Sequence, residues 1–385
     1  MKKIITIFAA AATLISVFRS DPQTAAHCAK KPDISARAAV LITADTGETV
    51  YSLNSDVKLP MASTTKIMTT LLCLESGDLY EEFTVDSDAI RVEGSSMGLQ
   101  EGDTVTKYAL CCGMLLPSGN DAANAAAVRI AGSIEAFAEL MNSRAAEIGM
   151  TRTCFVTPSG LEGEGHGSSA YDMAILAREA LKNELFRDIC SSRSISLKFG
   201  NPPYERSLYN TNKLLSMYDG VYGVKTGFTD EAGRCLVSAC ERGGVELICV
   251  TLNDKNDWND HIAMYEYGFG AVKKEQVRLP DGIDADAAGG ESDKLALTAE
   301  NGYIELCSVD GKLPEVQYTV ISPPFVYAPV SAGEECAQLK VSCGGREITR
   351  IPLKAKEDYP VKSRKNSEKR SFIQKIFDKL GKLFS

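Results

Sequence analysis

The sequence predicts a mixed α/β (α+β) fold, an antiparallel sheet flanked by helices, followed by a small all-β domain. Two observations carry this. Strand-like segments lie at both ends of residues 30–273 with helical segments between them, an order that a helix-covered antiparallel sheet satisfies. Beyond Lys273 the helical periodicity stops, and short apolar runs broken by Asp, Gly and Pro take over. With 385 residues, 44% of them hydrophobic, the chain can build two domains with separate cores.

The elements follow in order. In "AAVLITADTGETVYSLN" the apolar Val40, Ile42 and Ala44 alternate and Asp45-Thr46-Gly47 supplies a turn, so a hairpin is expected. Ser63 opens a helix to about Cys73, ended by Gly77. A second helix covers residues 109–116 and stops at Pro117. "SGNDAANAAAVRIAG" starts a third. "SIEAFAELMNSRAAEIG" is amphipathic, with Ile134, Phe137, Met141, Ala145 and Ile148 on one side. A Gly-rich loop spans residues 157–168, and Ser169 with Asp172 caps the helix "SAYDMAILAREALKNELF". "GVYGVKTGFT", "RCLVSACERG" and "VELICVTLN" read as three consecutive strands, the last two joined at Gly243-Gly244. In the β-rich domain, residues 274–358, "LALTAENGYIELCSVDG" and "ECAQLKVSCGGREITRIPL" look like hairpins.

Formal net charge is 42 minus 51, or -9, which gives no overall attraction to nucleic acid. Lys2 and Lys3 precede a short apolar run ending at Phe18, so residues 1–29 read as a secretory signal; an uncleaved anchor is the alternative. Cys28 lacks a lipoprotein context. Among the 12 cysteines, Cys73, Cys190, Cys235 and Cys249 sit in apolar runs, and Cys111 and Cys112 are adjacent. Mostly buried thiols are expected, suited to reducing surroundings. There is no Cys-x-x-Cys and only 3 histidines, so no metal site, redox pair or other cofactor is signalled.

Three short patterns carry chemistry. In "PMASTTKIMTTLL", Ser63 and Lys66 lie three apart on one helical face. A serine hydroxyl needs a base beside it, and a lysine kept neutral by burial and neighbours can serve. The bland reading of Ser63 is a helix cap. In "LLPSGNDAAN", Ser118 and Asn120 sit on a loop between helices and can project into one cleft; a turn with a cap is the simpler reading. In "GVKTGFTDEAGRC", strand alternation sends Lys225 and Gly227 to one face and Thr226 to the other unless local twist redirects them, and Gly227 leaves room for a substrate backbone. An edge lysine before a turn would look the same. The set Ser-x-x-Lys, Ser-x-Asn, Lys-Thr-Gly is far rarer than any member, and belongs to penicillin-interacting serine enzymes.

With these motifs, and with "TPSGLEGEGHGSSAYDMA" and "YEYGF", the chain resembles the low-molecular-mass penicillin-binding proteins that are serine-type D-Ala-D-Ala carboxypeptidases. The resemblance implies a transpeptidase/serine β-lactamase-like domain. It implies that Ser63 attacks the bond between the last two D-alanines of a peptidoglycan stem peptide, and that penicillins acylate the same serine. Lys66 would take the serine proton and Ser118 relay one to the leaving amine. Asn120 would bind the peptide and hold Lys66. Lys225 and Thr226 would face the substrate's terminal carboxylate, and the Ser63 and Phe228 backbone N–H groups would form the oxyanion hole. Thr157 stands where the family often has Asn. His166 matches a frequent family histidine, read as structural. An arginine expected before "YEYGF" is missing, with Asp257 near its place, which leaves Arg234 as a further candidate for the carboxylate.

The tail from Lys362 carries eight basic residues and two acidic ones, a net charge of +6. Phe372, Ile373, Ile376, Phe377, Leu380, Leu383 and Phe384 form one stripe with Lys375, Lys379 and Lys382 beside it. Residues 359–385 are therefore expected to be a basic linker and a helix lying in the membrane interface, holding a secreted enzyme to the outer face of the cell membrane. A helix docked on the protein is the alternative. Competing functions are a serine β-lactamase using Glu162 or Glu164 to activate water, a D,D-endopeptidase, and a non-catalytic wall-binding protein.

Overall fold

A computed structural model describes residues 30–313 and 315–362. The expected signal segment and the tail beyond Lys362 lie outside the described residues.

The chain begins with a hairpin, β1 (Ala38–Thr43) and β2 (Thr49–Leu53), and then makes a 3-10 turn at Ala62–Thr65 that runs into α1 (Lys66–Glu75). The short pair β3 (Glu82–Thr84) and β4 (Thr104–Thr106) precedes α2 (Lys107–Leu115), α3 (Asn120–Ala131), α4 (Ile134–Glu147), α5 (Ala170–Ala180) and α6 (Glu184–Ser191). A hairpin of β5 (Ser194–Gly200) and β6 (Pro203–Tyr209) and the one-turn α7 (Leu214–Met217) lead to β7 (Val221–Thr229), β8 (Gly233–Arg242) and β9 (Val245–Asp254). Then come α8 (Asp257–Ala271) and β10 (Val272–Arg278). The remaining strands are β11 (Asp284–Ala288), β12 (Lys294–Ala299), β13 (Tyr303–Val309), β14 (Val316–Ile321), β15 (Val326–Tyr327), β16 (Glu335–Cys343) and β17 (Arg346–Ala355).

The expected central sheet forms. Its order is β2-β1-β9-β8-β7, and every pairing is antiparallel. β1 is buried along its whole length, not on alternate residues, because both faces of the sheet are covered. Ala38, Val40 and Ile42 enter the core beneath α1 to α6, while Ala39 and Leu41 join Met264 and Tyr265 of α8. α1 packs on α2, α3 and α5 and is buried nearly all round. The Gly243-Gly244 turn is present, with both residues at positive φ.

Some elements differ from expectation. The single helix predicted from Ser169 breaks into α5 and α6, because Asn183 caps a new start by accepting from the Phe186 amide. Ser169 does cap α5, but the Asp172 carboxylate turns away to the Arg152 amide and the Thr153 hydroxyl. The β5–β6 hairpin carries alternating Ile195, Leu197 and Phe199, a pair of strands absent from the sequence-based expectation.

Two compact units form, one of residues 30–275 with 306–313, the other of residues 276–305 with 315–362. "ECAQLKVSCGGREITRIPL" is the β16–β17 hairpin. "LALTAENGYIELCSVDG" is not a hairpin. β12 is already paired on both edges, with β11 and β17, so β13 pairs with β10 instead. Eight cysteines, Cys73, Cys111, Cys112, Cys190, Cys235, Cys240, Cys249 and Cys307, are buried free thiols.

Candidate active site

Ser63 sits in the 3-10 turn, not at the cap of α1. Helix α1 has no side-chain cap, and the Thr64 and Thr65 hydroxyls tie the turn by donating to the Met61 and Ala62 carbonyls at 2.6 and 2.8 Å. Ala62 adopts φ 49°, a left-handed value uncommon for alanine. Two glycines make room for this turn. A Cβ on Gly160 would lie 2.0 Å from the Ala62 carbonyl oxygen, and one on Gly227 would lie 3.1 Å from the Ser63 nitrogen. The loop after α4 and strand β7 therefore clasp the serine turn from two sides.

Lys66 is fully buried beside it. Its Nζ lies 2.9 Å from Ser63 Oγ, 2.7 Å from Asn120 Oδ1 and 2.6 Å from the Ser159 carbonyl oxygen. Burial is the main cause that holds its proton affinity well below a free lysine's, and the nearby Lys225 adds to it, while Asp121 opposes both. Asn120 Oδ1 and Ser159 O can only accept; with the amine neutral they engage its two N–H bonds, and the lone pair faces the Ser63 hydroxyl.

Asn120 opens α3 and is buried. Its Nδ2 donates to the Glu93 carbonyl at 2.6 Å, and its backbone N–H donates to the Ser95 carbonyl at 2.7 Å. One Nδ2 proton thus remains for a substrate, a smaller share than the motif alone suggests. Asp121, which sequence reasoning missed, explains why residues 93–95 stay there. Buried beside Asn120, it accepts from the Met97, Gly98 and Leu99 amides and the Ser96 hydroxyl at 2.6–3.1 Å. Its signal was an acid in the first turn of an alanine-rich, buried helix. Ser118 precedes α3 at φ 67°, and its hydroxyl has no hydrogen-bond partner among the described residues.

Strand β7 forms the opposite wall. Lys225 is buried, and its Nζ donates to the Thr226 carbonyl at 2.9 Å. Burial lowers its pKa to about 7. The Thr226 hydroxyl meets Thr211 Oγ1 at 2.7 Å, and the Phe228 ring is exposed. Arg234 lies opposite Phe228 on β8 and gives both carboxylate oxygens of Asp257 a hydrogen bond, at 2.6 and 2.9 Å. Both bonds come from Nη2, and Nε has no hydrogen-bond partner among the described residues.

His166 braces the serine turn. Its Nδ1 accepts from the Val156 amide at 3.0 Å, so the ring proton is on Nε2, which lies 3.0 Å from Thr65 Oγ1. Burial, with Lys58 nearby, lowers its pKa to about 4, so it stays neutral. Glu162 and Glu164 are solvent-exposed.

A helix-covered antiparallel sheet presenting a Ser–Lys pair, a Ser-x-Asn loop and a Lys-Thr-Gly strand defines a serine peptidase of the penicillin-binding type. Comparison with known proteins agrees. Residues 25–256 match the family model described as D-alanyl-D-alanine carboxypeptidase. D-alanyl-D-alanine carboxypeptidase DacF of Bacillus subtilis is 33% identical over 84% of this chain and 85% of its own length. DacC of Escherichia coli is 30% identical over 96% of this chain and 94% of its own. The crystal structure of D-alanyl-D-alanine carboxypeptidase DacD from Francisella tularensis superposes with a TM-score of 0.62 at 25% identity, covering 92% of this chain and 99% of that one. Relatives also include a D-alanyl-D-alanine endopeptidase of Escherichia coli, 31% identical over 55% of this chain and 69% of its own. The chain belongs to the D-alanyl-D-alanine carboxypeptidase family.

Proposed function

We propose that the chain removes the terminal D-alanine from peptidoglycan stem pentapeptides through an acyl-enzyme on Ser63. The observation that carries this is the placement of Lys66 Nζ, 2.9 Å from Ser63 Oγ in a fully buried setting that lowers its proton affinity. Lys66 Nζ takes the hydroxyl proton as Oγ bonds to the penultimate D-alanine carbonyl. The Ser63 and Phe228 N–H groups receive the oxyanion. The C–N bond then breaks, and the leaving amine takes a proton from Lys66 relayed by the Ser118 hydroxyl. Water attacks the ester, returns its proton through Lys66, and releases the shortened peptide and Ser63. Asn120 keeps Lys66 aimed and offers its remaining N–H to the peptide. Lys225 and Thr226 bind the terminal carboxylate, with Gly227 giving the substrate backbone room. β-Lactams acylate Ser63 by the same steps.

The exposed Glu162 and Glu164 supply no buried carboxylate for fast deacylation, which disfavours the β-lactamase reading. The intact Ser63, Lys66, Ser118, Asn120 and Lys225 set disfavours a non-catalytic wall-binding protein. The endopeptidase reading uses the same groups, and an endopeptidase is among the relatives. Mass spectrometry of a pentapeptide and a cross-linked dimer separates the two. Release of D-alanine from the pentapeptide, blocked by a penicillin, is expected; cleavage of the dimer alone would replace this reading with the endopeptidase.

We further propose export by the 1–29 segment and peripheral attachment to the outer membrane surface through the basic, amphipathic tail. The support is the sequence of those segments. Among the described residues no helix is long and apolar enough to cross a membrane. Deleting residues 371–385 is expected to release the enzyme from anionic vesicles while hydrolysis of a soluble pentapeptide continues.

A further inference from the structure

The smaller unit carries an apolar ridge that its own core does not use. Between Glu315 and Glu334 the chain has no charged residue, in a protein that is 24% charged. Within this stretch β15 pairs with β11 at the edge of the six-stranded sheet, with Val326 opposite Ala287 and Tyr327 opposite Ala288. Strand alternation turns Val326 into the core and its two neighbours outward. Phe325 is 49% exposed and Tyr327 71%, and their rings lie 6.5 Å apart. Ser322, Pro323, Pro324 and Pro329 extend the exposed, uncharged ridge on both sides. Large aromatics left adjacent in solvent mark a contact surface rather than ordinary surface scatter.

The chain's path identifies the contact. Gly289 meets Ala328 across the strand edge, and the Lys362 amide donates to the Gly289 carbonyl at 2.7 Å. Gly289 directly follows Ala288, the partner of Tyr327, so Lys362 is held beside the ridge. The next residues of the chain are the basic, amphipathic tail. The tail's net charge of +6 finds no countercharge on the uncharged ridge, so the two are poorly matched as partners for one another. An anionic bilayer matches both, with headgroups for the lysines and an interfacial zone for Phe, Tyr and Pro.

We propose that the ridge of Phe325 and Tyr327 is a second membrane-contact element, which seats the smaller unit in the lipid interface beside the point where the tail departs. This rests on the attachment proposed above. The test uses the full chain and a chain ending at Lys362, each with Phe325→Trp, and vesicles of phosphatidylglycerol and phosphatidylcholine, some brominated in the acyl chain. Emission is read as the difference from the parent, which has only Trp258. With vesicles the indole at position 325 is expected to shift to the blue and be quenched by bromine in the full chain. In the parent background, Phe325→Ser with Tyr327→Ser is expected to weaken vesicle partitioning of the full chain about tenfold. A full chain that floats with vesicles while the indole stays unquenched overturns the ridge and leaves the tail anchor standing. Equal flotation of both chains with a quenched indole keeps the ridge and overturns the tail anchor. A blue shift in the full chain without vesicles, lost on truncation, shows the tail docked on the ridge; a shift on adding soluble glycan strands shows a sugar-stacking platform. Either result overturns the proposal.

Discussion

Replacing Lys225 by methionine is expected to stabilise the protein and cripple it as an enzyme. Lys225 is 1% exposed, and among the described residues its side chain hydrogen-bonds only to the Thr226 carbonyl. No carboxylate pairs with it among the described residues. Burial alone moves its pKa from 10.5 to about 7. That displacement corresponds to roughly 5 kcal/mol against the charged form. Because the folded pKa lies below the unfolded one, the unfolded chain binds the extra proton between pH 7 and 10.5, so wild-type stability rises with pH across that window. The penalty is full below about pH 7 and gone above about 10.5. Methionine has similar bulk and no charge, and losing the hydrogen bond to Thr226 costs about 1 kcal/mol. The net gain at pH 6 is then about 2–4 kcal/mol, shrinking toward zero or reversing by pH 10.5. Calorimetric melts of wild type and K225M at pH 6 and 10 measure it, with kcat/KM on a pentapeptide measured in parallel. A variant no more stable than wild type at pH 6, or a gain that does not shrink at high pH, would refute the reasoning. So would an unchanged kcat/KM.

The same pKa values set the pH profile of the wild type. kcat/KM is expected to rise as Lys66 loses its proton, at a pH well below that of a free lysine, and to fall about tenfold per pH unit above about 7 as Lys225 loses its own. kcat should stay flat over that alkaline limb, since a bound carboxylate keeps Lys225 charged; stopped-flow assays across pH separate the two constants. G160A forces a Cβ to within 2.0 Å of the Ala62 carbonyl at φ 86°, so the Ser63 turn must shift. Acylation by a β-lactam should then slow by about 100-fold, and a rate within about threefold of wild type would show that the turn does not depend on this glycine. D121N removes an acceptor from the segment of residues 96–99 and a negative charge from the neighbourhood of Lys66. It should cost about 2–4 kcal/mol of stability and move the acid limb of the profile to lower pH, both checked by melts and acylation rates.

The site's side chains were legible because each lies in a short motif whose spacing survives folding. Ser63 and Lys66 are one turn apart, Ser118 and Asn120 flank a helix start, and Lys225 to Gly227 are consecutive on one strand. What holds them was less legible. The Ser159 acceptor is a backbone carbonyl, with no residue-type signal. Gly160 and Gly227 matter for what they leave empty. Asp121 acts on a segment more than twenty residues away, so no local pattern links the two. The same limit shows in the fold. The central sheet followed from strands at the two ends of the domain, while the partner of β13 depended on β12 having both edges filled, which periodicity does not report. Arg234, a carboxylate-ligand candidate from the sequence, places its Nη2 on Asp257 of α8, a partner that no local pattern reports.

The central claim is that Ser63 is the nucleophile activated by Lys66. The most direct measurement is peptide mapping by mass spectrometry after brief reaction with benzylpenicillin, on wild type, Ser63→Ala and Lys66→Gln. The account predicts one adduct, on the peptide containing Ser63, absent in S63A and formed far more slowly in K66Q. An adduct that persists at the wild-type rate in S63A, or maps to Ser118 or any other residue, would contradict it.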